Sequence, residues 1–123
     1  ASSESFGLNV VGKISRQVTS NDRGVRRVAS EAIVQLLDGD SATKVTLPDD
    51  IDEKLRFDDT NVRHAAVRMV VARADTDPEE VAQHRDVLRE MARTDTSEIQ
   101  SVALSALRKI ESKPSTDEIQ LPP

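Results

Sequence analysis

The sequence predicts an all-α protein: a short right-handed α-solenoid of three antiparallel helical hairpins, occupying residues 6–112 as one domain. Three observations predict it. In the segment 61–74, Val62, Ala65, Ala66, Met69 and Val70 fall at i, i+3, i+4, i+7 and i+8, the spacing of an apolar helical stripe. That segment has a counterpart on each side: Val25-Arg26-Arg27-Val28-Ala29 begins 37 residues before Val62, and Ile99-Gln100-Ser101-Val102-Ala103 begins 37 residues after it. No sustained period-two run argues for a strand.

The elements follow in order. Residues 1–5 are small and polar and are expected to be a flexible end. Residues 6–19 place Leu8, Val11, Ile14 and Val18 on one helical face, and Ser20-Asn21-Asp22-Arg23-Gly24 reads as a turn. The second helix, 25–37, turns Val25, Val28, Ala29, Ala32, Ile33 and Leu36 inward, with Gly39 where a left-handed cap sits. Residues 40–46 connect it to a third helix. Pro48 suits that helix's first turn, Ile51 and Leu55 face inward, and Asp49, Asp50, Asp52 and Glu53 lie near its positive N-terminus. Asp58, Asp59 and Thr60 are candidate caps for the fourth helix, 60–74.

The fifth helix opens with Asp77 as N-cap, Pro78 at the first helical position and Glu80 completing a capping box. Val81, Leu88, Met91 and Ala92 line its inner side, with Val87 flanking. Asp95 and Glu98 have capping-box spacing and open the sixth helix, which runs to about Glu111 and is ended by Pro114. The polar residues 113–123 are expected to be a flexible tail.

The repeat is testable column by column. With the chain slid by 37, eight columns are apolar in all three copies: Leu8/Val45/Ala82, Ile14/Ile51/Leu88, Val18/Leu55/Ala92, Val25/Val62/Ile99, Val28/Ala65/Val102, Ala29/Ala66/Ala103, Ala32/Met69/Ala106 and Ile33/Val70/Leu107. Chance at this composition gives about two such columns. The match weakens at Leu36/Arg73/Ile110 and across the connector before Pro48. The invariant small column, Ala29, Ala66 and Ala103, would let helices of adjacent copies approach closely.

Val-Arg-x-x-Ala in the second helix of a hairpin, after an Asp-rich turn, resembles the HEAT repeat. Val25-Arg26…Ala29 and Val62-Arg63…Ala66 carry the motif, and the third copy departs from it with Ile99-Gln100…Ala103. The 37-residue period is shorter than the ~40–47 residues usual for HEAT and armadillo repeats. Tetratricopeptide repeats are disfavoured, because the chain has no Trp or Tyr. The resemblance implies a scaffold or adaptor; a few members of that class are bilin lyases or DNA glycosylases.

Composition narrows the function classes. The chain has 123 residues, with 2% aromatic residues and a net charge of −5, so it would repel polyanions at long range. Asp outnumbers Glu and Arg outnumbers Lys, a balance compatible with salt adaptation. Without cysteine there is no disulfide or thiolate chemistry. No apolar run reaches the length of a membrane span and no signal peptide is evident, so the expected location is the cytoplasm. The start at Ala1 is compatible with a trimmed start or with a piece of a longer protein.

The candidate site is a row on the second helices: Arg26, Arg27, Arg63, His64 and, in the third copy, Gln100. It has two readings. It is either a basic ridge for an acidic partner or an internal ladder in which each arginine bonds the Asp-rich turns; the family resemblance favours the ladder. Arg68 and Arg73 have no basic equivalents in the other copies and are expected to contribute little to stability. His64 and His84 are read as solvent-facing rather than metal-binding, since no carboxylate stands at ligand spacing beside either. Asp38-Gly39-Asp40 begins like a calcium loop, but Ala42 and Thr43 do not continue it. The run Asp49 to Glu53 is read as helix-dipole partners rather than an acid–base pair.

No nucleophile and base, stacking ring or glycine-rich phosphate loop stands out, so no enzyme activity, catalytic residue, cofactor or metal is expected. The leading expectation is a protein–protein interaction scaffold that binds a partner protein along one face of the stack, with self-association or a larger parent chain as further possibilities. The alternative is a nucleic-acid-binding module using the second-helix arginines. It is disfavoured by net charge and by the lack of aromatic platforms. A HEAT-like lyase or glycosylase ranks third.

Overall fold

The computed structural model describes residues 13–39 and 47–112. All regular structure among them is helical: α1 (residues 13–17), α2 (Arg23–Gly39), α3 (Ile51–Leu55), α4 (Thr60–Ala74), α5 (Pro78–Val81), a 3-10 turn (Ala82–His84), α6 (Arg85–Thr94) and α7 (Ser97–Ser112). None of these helices is long and apolar enough to cross a membrane. The expected flexible ends, the start of the first helix with Leu8 and Val11, Val45, and Asp40, Ala42 and Thr43 of the calcium-like stretch lie outside the described residues.

The three long helices α2, α4 and α7 are capped in register. Asp22 Oδ1 accepts from the Gly24 and Val25 amides at 2.8 and 3.2 Å. Asp59 Oδ1 accepts from the Asn61 amide at 2.9 Å, and Thr96 Oγ1 from the Ile99 amide at 3.4 Å. These three residues are spaced by 37, like the apolar columns. Each side-chain oxygen satisfies an amide that the first helical turn cannot.

α4 is the centre of the core. α2 packs on one side of it and α7 on another, with α3 and α5 also against it; α6 packs on α7. Val62, Ala65, Ala66, Val67, Met69, Val70 and Ala74 are all buried. Val67 lies off the stripe read from the sequence, and Ala72 is partly buried against the core. The residues of α4 are apolar around most of the circumference, which suits a helix enclosed by neighbours. The small column is buried throughout, with Ala66 and Ala103 only 1% and 0% exposed.

Several expectations are corrected. Val25, Val28 and Leu36 of α2 are exposed rather than inward, Val28 by 61%. Helical periodicity assigns a face, but nothing among the described residues covers this one. The fifth helix is not continuous. At His84 the backbone reaches φ −102, ψ 15, which interrupts the α-geometry and separates α5 and the 3-10 turn from α6. Pro48 precedes α3 instead of opening it, its carbonyl closing a turn onto the Ile51 amide at 3.1 Å. Gly39 is itself the last residue of α2.

Both capping boxes are incomplete. Asp77 does cap α5 through the Glu80 amide at 3.1 Å, with Pro78 at the first position. Glu80, however, turns its carboxylate to Arg73 Nε at 2.7 Å, and the Asp77 amide donates to the Arg73 carbonyl at 2.8 Å. At α7 the cap is Thr96, which stands 37 positions after Asp59; Asp95, one residue earlier, accepts from the Thr96 amide at 2.8 Å and from Arg63. For Glu80, the charge-assisted bond to the guanidinium is stronger than one to a neutral backbone amide.

Candidate functional site

Arg26 and Arg63 stand four residues after their helix caps, Asp22 and Asp59, and one turn of helix points each guanidinium back over its own N-terminus. Both make the same local bonds. Arg26 Nη1 donates to the Ser20 and Asn21 carbonyls at 2.8 and 3.2 Å. Arg63 Nη1 donates to the Phe57 and Asp58 carbonyls, 37 positions on, at 2.8 and 3.1 Å.

Each then reaches the acidic residue before the next long helix. Arg26 Nε donates to Asp59 Oδ2 at 3.1 Å, and Arg63 Nε to Asp95 Oδ2 at 2.9 Å with Nη2 on Asp95 Oδ1 at 3.1 Å. The flat, multi-donor guanidinium is suited to joining a carbonyl pair and a carboxylate at once. Gln100, in the corresponding place on α7, donates its Nε2 to the Arg93 carbonyl at 3.1 Å.

Asp59 shows the electrostatics of this row. Burial on its own raises the Asp59 carboxyl, but the Arg26 bond, the Asn61 amide and the charges of Arg26 and Arg23 together hold it below the ordinary carboxylate value. The Arg26 guanidinium also lies 5.9 Å from the centre of the Phe57 ring. Arg27 points away from this row: it is exposed and lines an apolar groove on α2.

His64 belongs to a different surface. With Ser30, Glu31, Val34, Gln35, Asn61 and Glu98 it lines a polar cleft of ≈ 410 Å³ across α2, α4 and α7. His64 Nε2 accepts from Arg68 Nε at 3.3 Å, which places the ring proton on Nδ1, 3.9 Å from Glu98 Oε1. Ser30 is buried beside it, and its hydroxyl has no hydrogen-bond partner among the described residues.

Both histidines depart from the solvent-facing expectation, with side chains only 16% and 13% exposed. His84 Nδ1 sits 2.8 Å from Asp52 Oδ1, tying the bend before α6 to α3. Among the described residues no group of three or more His, Asp or Glu side chains is placed to hold a metal ion. Arg73 is paired as well: Glu80 and Asp77 lie 2.7 and 3.6 Å from its guanidinium across the α4–α5 turn.

Sequence reasoning missed Lys54. Its side chain is 3% exposed, and its ammonium donates to both carboxylate oxygens of Asp50 at 2.7 Å. The signal was present: Lys54 stands at i+3 from Ile51, next to Leu55, on the inward stripe of α3. Glu31 and Glu98 were also missed as cleft residues. They lie in different copies of the repeat and come together only through the packing of α2 and α7 around α4.

Compared with family models, curated proteins and solved structures, the chain matches none.

Proposed function

We propose that the chain is a non-catalytic interaction module, a short stack of three HEAT-like helical hairpins that binds a partner protein along the face formed by α2, α4 and α7. Three features support the stack: capping residues in 37-residue register, repeated arginine bonds, and the order of packing α2 on α4 on α7. The two-residue link between α6 and α7 suits an antiparallel pair.

The observation that carries the binding reading is the cleft across the three helices. It offers hydrogen-bonding groups, two carboxylates and a buried hydroxyl without a partner among the described residues. Such a surface favours a segment with basic and polar side chains. The nucleic-acid reading loses support because Arg26 and Arg63 are already engaged with Asp59 and Asp95. A polyanion would have to displace those carboxylates.

The test is affinity capture with the purified chain, identification of the retained protein, and titration of that protein against wild type and Glu31→Lys/Glu98→Lys. Loss of binding with unchanged melting supports the cleft. Tight, steeply salt-dependent binding of a generic DNA duplex, weakened by the removal of arginines, would overturn it.

A further inference from the structure

We infer that the open face of α2 is a second docking site, for an amphipathic helix of another protein that carries an arginine at the position Arg26 and Arg63 occupy in α2 and α4. The groove has a volume of ≈ 600 Å³, with Val25, Val28, Ala29 and Ala32 on its apolar floor, Ile14 and Gln17 contributed by α1, and Asp22 and Arg27 among its polar residues. It is separate from the cleft described above and shares no residue with it.

Register identifies the occupant. Val25 and Val28 stand in the columns of Val62 and Ala65 in α4 and of Ile99 and Val102 in α7. Those four residues are at most 7% exposed, whereas Val25 and Val28 are 38% and 61% exposed. α4 has α2 packed against it and α7 has α4, while among the described residues no helix occupies the corresponding place on α2. Among the described residues, the surface that is buried on α4 and on α7 is therefore presented once more on α2 without a long helix packed over it.

The charges agree. Asp59 uses Oδ1 to cap α4 and Oδ2 to receive Arg26 from the preceding long helix. Asp22, one repeat earlier, uses Oδ1 to cap α2, and among the described residues no side chain donates to its Oδ2. A helix seated on Val25 and Val28 with an arginine in register would complete this row with a charge-assisted bond.

A head-to-tail second copy fits less well. The outward end of the chain at α7 carries Gln100 in the arginine column, already bonded to the Arg93 carbonyl, and exposes Ser101, Arg108 and Glu111 with Leu104 as its one large exposed apolar residue among those described. That face is largely polar, in contrast to the open face of α2.

The experiment titrates the full chain with a labelled synthetic peptide of residues 20–39, the segment that presents Arg26, followed by fluorescence anisotropy. Saturable binding is expected. Arg26→Ala in the peptide and Asp22→Asn in the protein should each weaken it about tenfold. Asparagine keeps the helix cap, so the second variant stays folded. Val28→Asp in the protein, at an exposed position, should abolish binding. Glu31→Lys/Glu98→Lys should leave it unchanged, which separates this site from the cleft.

Absence of saturable binding, or equal binding by every variant, would overturn the inference. So would concentration-dependent dimerisation of the chain alone that Val28→Asp removes, which would assign the face to a second copy. Amide-exchange protection of residues 6–11 that Val28→Asp removes would overturn it as well, by assigning the face to the chain's own N-terminal segment.

Discussion

Arg63 grips Asp95 through two bonds, from Nε to Oδ2 at 2.9 Å and from Nη2 to Oδ1 at 3.1 Å, whereas Arg26 meets Asp59 through Nε alone. The Asp95 side chain is 6% exposed and that of Asp59 is 14% exposed. Arg63 also contacts Thr60 Oγ1 at 3.3 Å. The ladder is therefore stronger on the α7 side of α4 than on the α2 side. Arg63→Ala should destabilise the fold by about 1–3 kcal/mol and Arg26→Ala by less, as measured by denaturant midpoints. Equal, near-zero losses would mean that neither arginine holds the helices together.

The Asp59 interactions should emerge as acid sensitivity. Its folded-state pKa lies below the unfolded value, so its contribution is fully present above the unfolded carboxylate pKa of about 3.9 and is lost as pH falls through the folded value. Asp59→Asn retains a capping side chain but loses the charge. The stability gap between wild type and Asp59→Asn should be constant from neutral pH to about pH 5 and narrow below it. A gap that widened on acidification would contradict the lowered pKa.

The tight packing around α4 should make Ala66→Leu costly. Ala66 is 1% exposed, and the larger leucine side chain should destabilise by about 1–3 kcal/mol. Ser101, exposed on α7, is the matched control, and Ser101→Leu should change stability by less than about 0.5 kcal/mol. Thermal melts of the two variants check this directly.

Lys54 and Asp50 should respond asymmetrically. Asp50→Ala leaves the Lys54 ammonium without its bidentate partner in a site where the side chain is 3% exposed, and should cost about 2–4 kcal/mol. Lys54→Met replaces the buried chain with an apolar one of similar length and leaves Asp50, 44% exposed, to water. Its cost should stay under about 1 kcal/mol. Urea titrations giving the reverse order would show that the ammonium is not the group that needs the pair.

The helical class, the limits of most long elements and the inward stripe of α4 were legible because each depends on residues close in sequence. Val62, Ala65, Ala66, Met69 and Val70 share a face through helix geometry, and Asp59 and Asp77 cap through bonds to amides two or three residues away. The arginine positions could be marked from Arg26 and Arg63 recurring at one spacing.

Which neighbour each polar group takes was decided in three dimensions. Asp95 joins α7 to Arg63 of α4 while Thr96 caps the helix, and Glu80 turned from the Asp77 amide to Arg73. His84 found Asp52, and Lys54 was enclosed by the core while its partner stayed half-open. Val25 and Val28 repeat the pattern of Val62 and Ala65, yet they stand exposed. Periodicity states which side of a helix is apolar; whether another helix lies against that side depends on packing between segments distant in the chain.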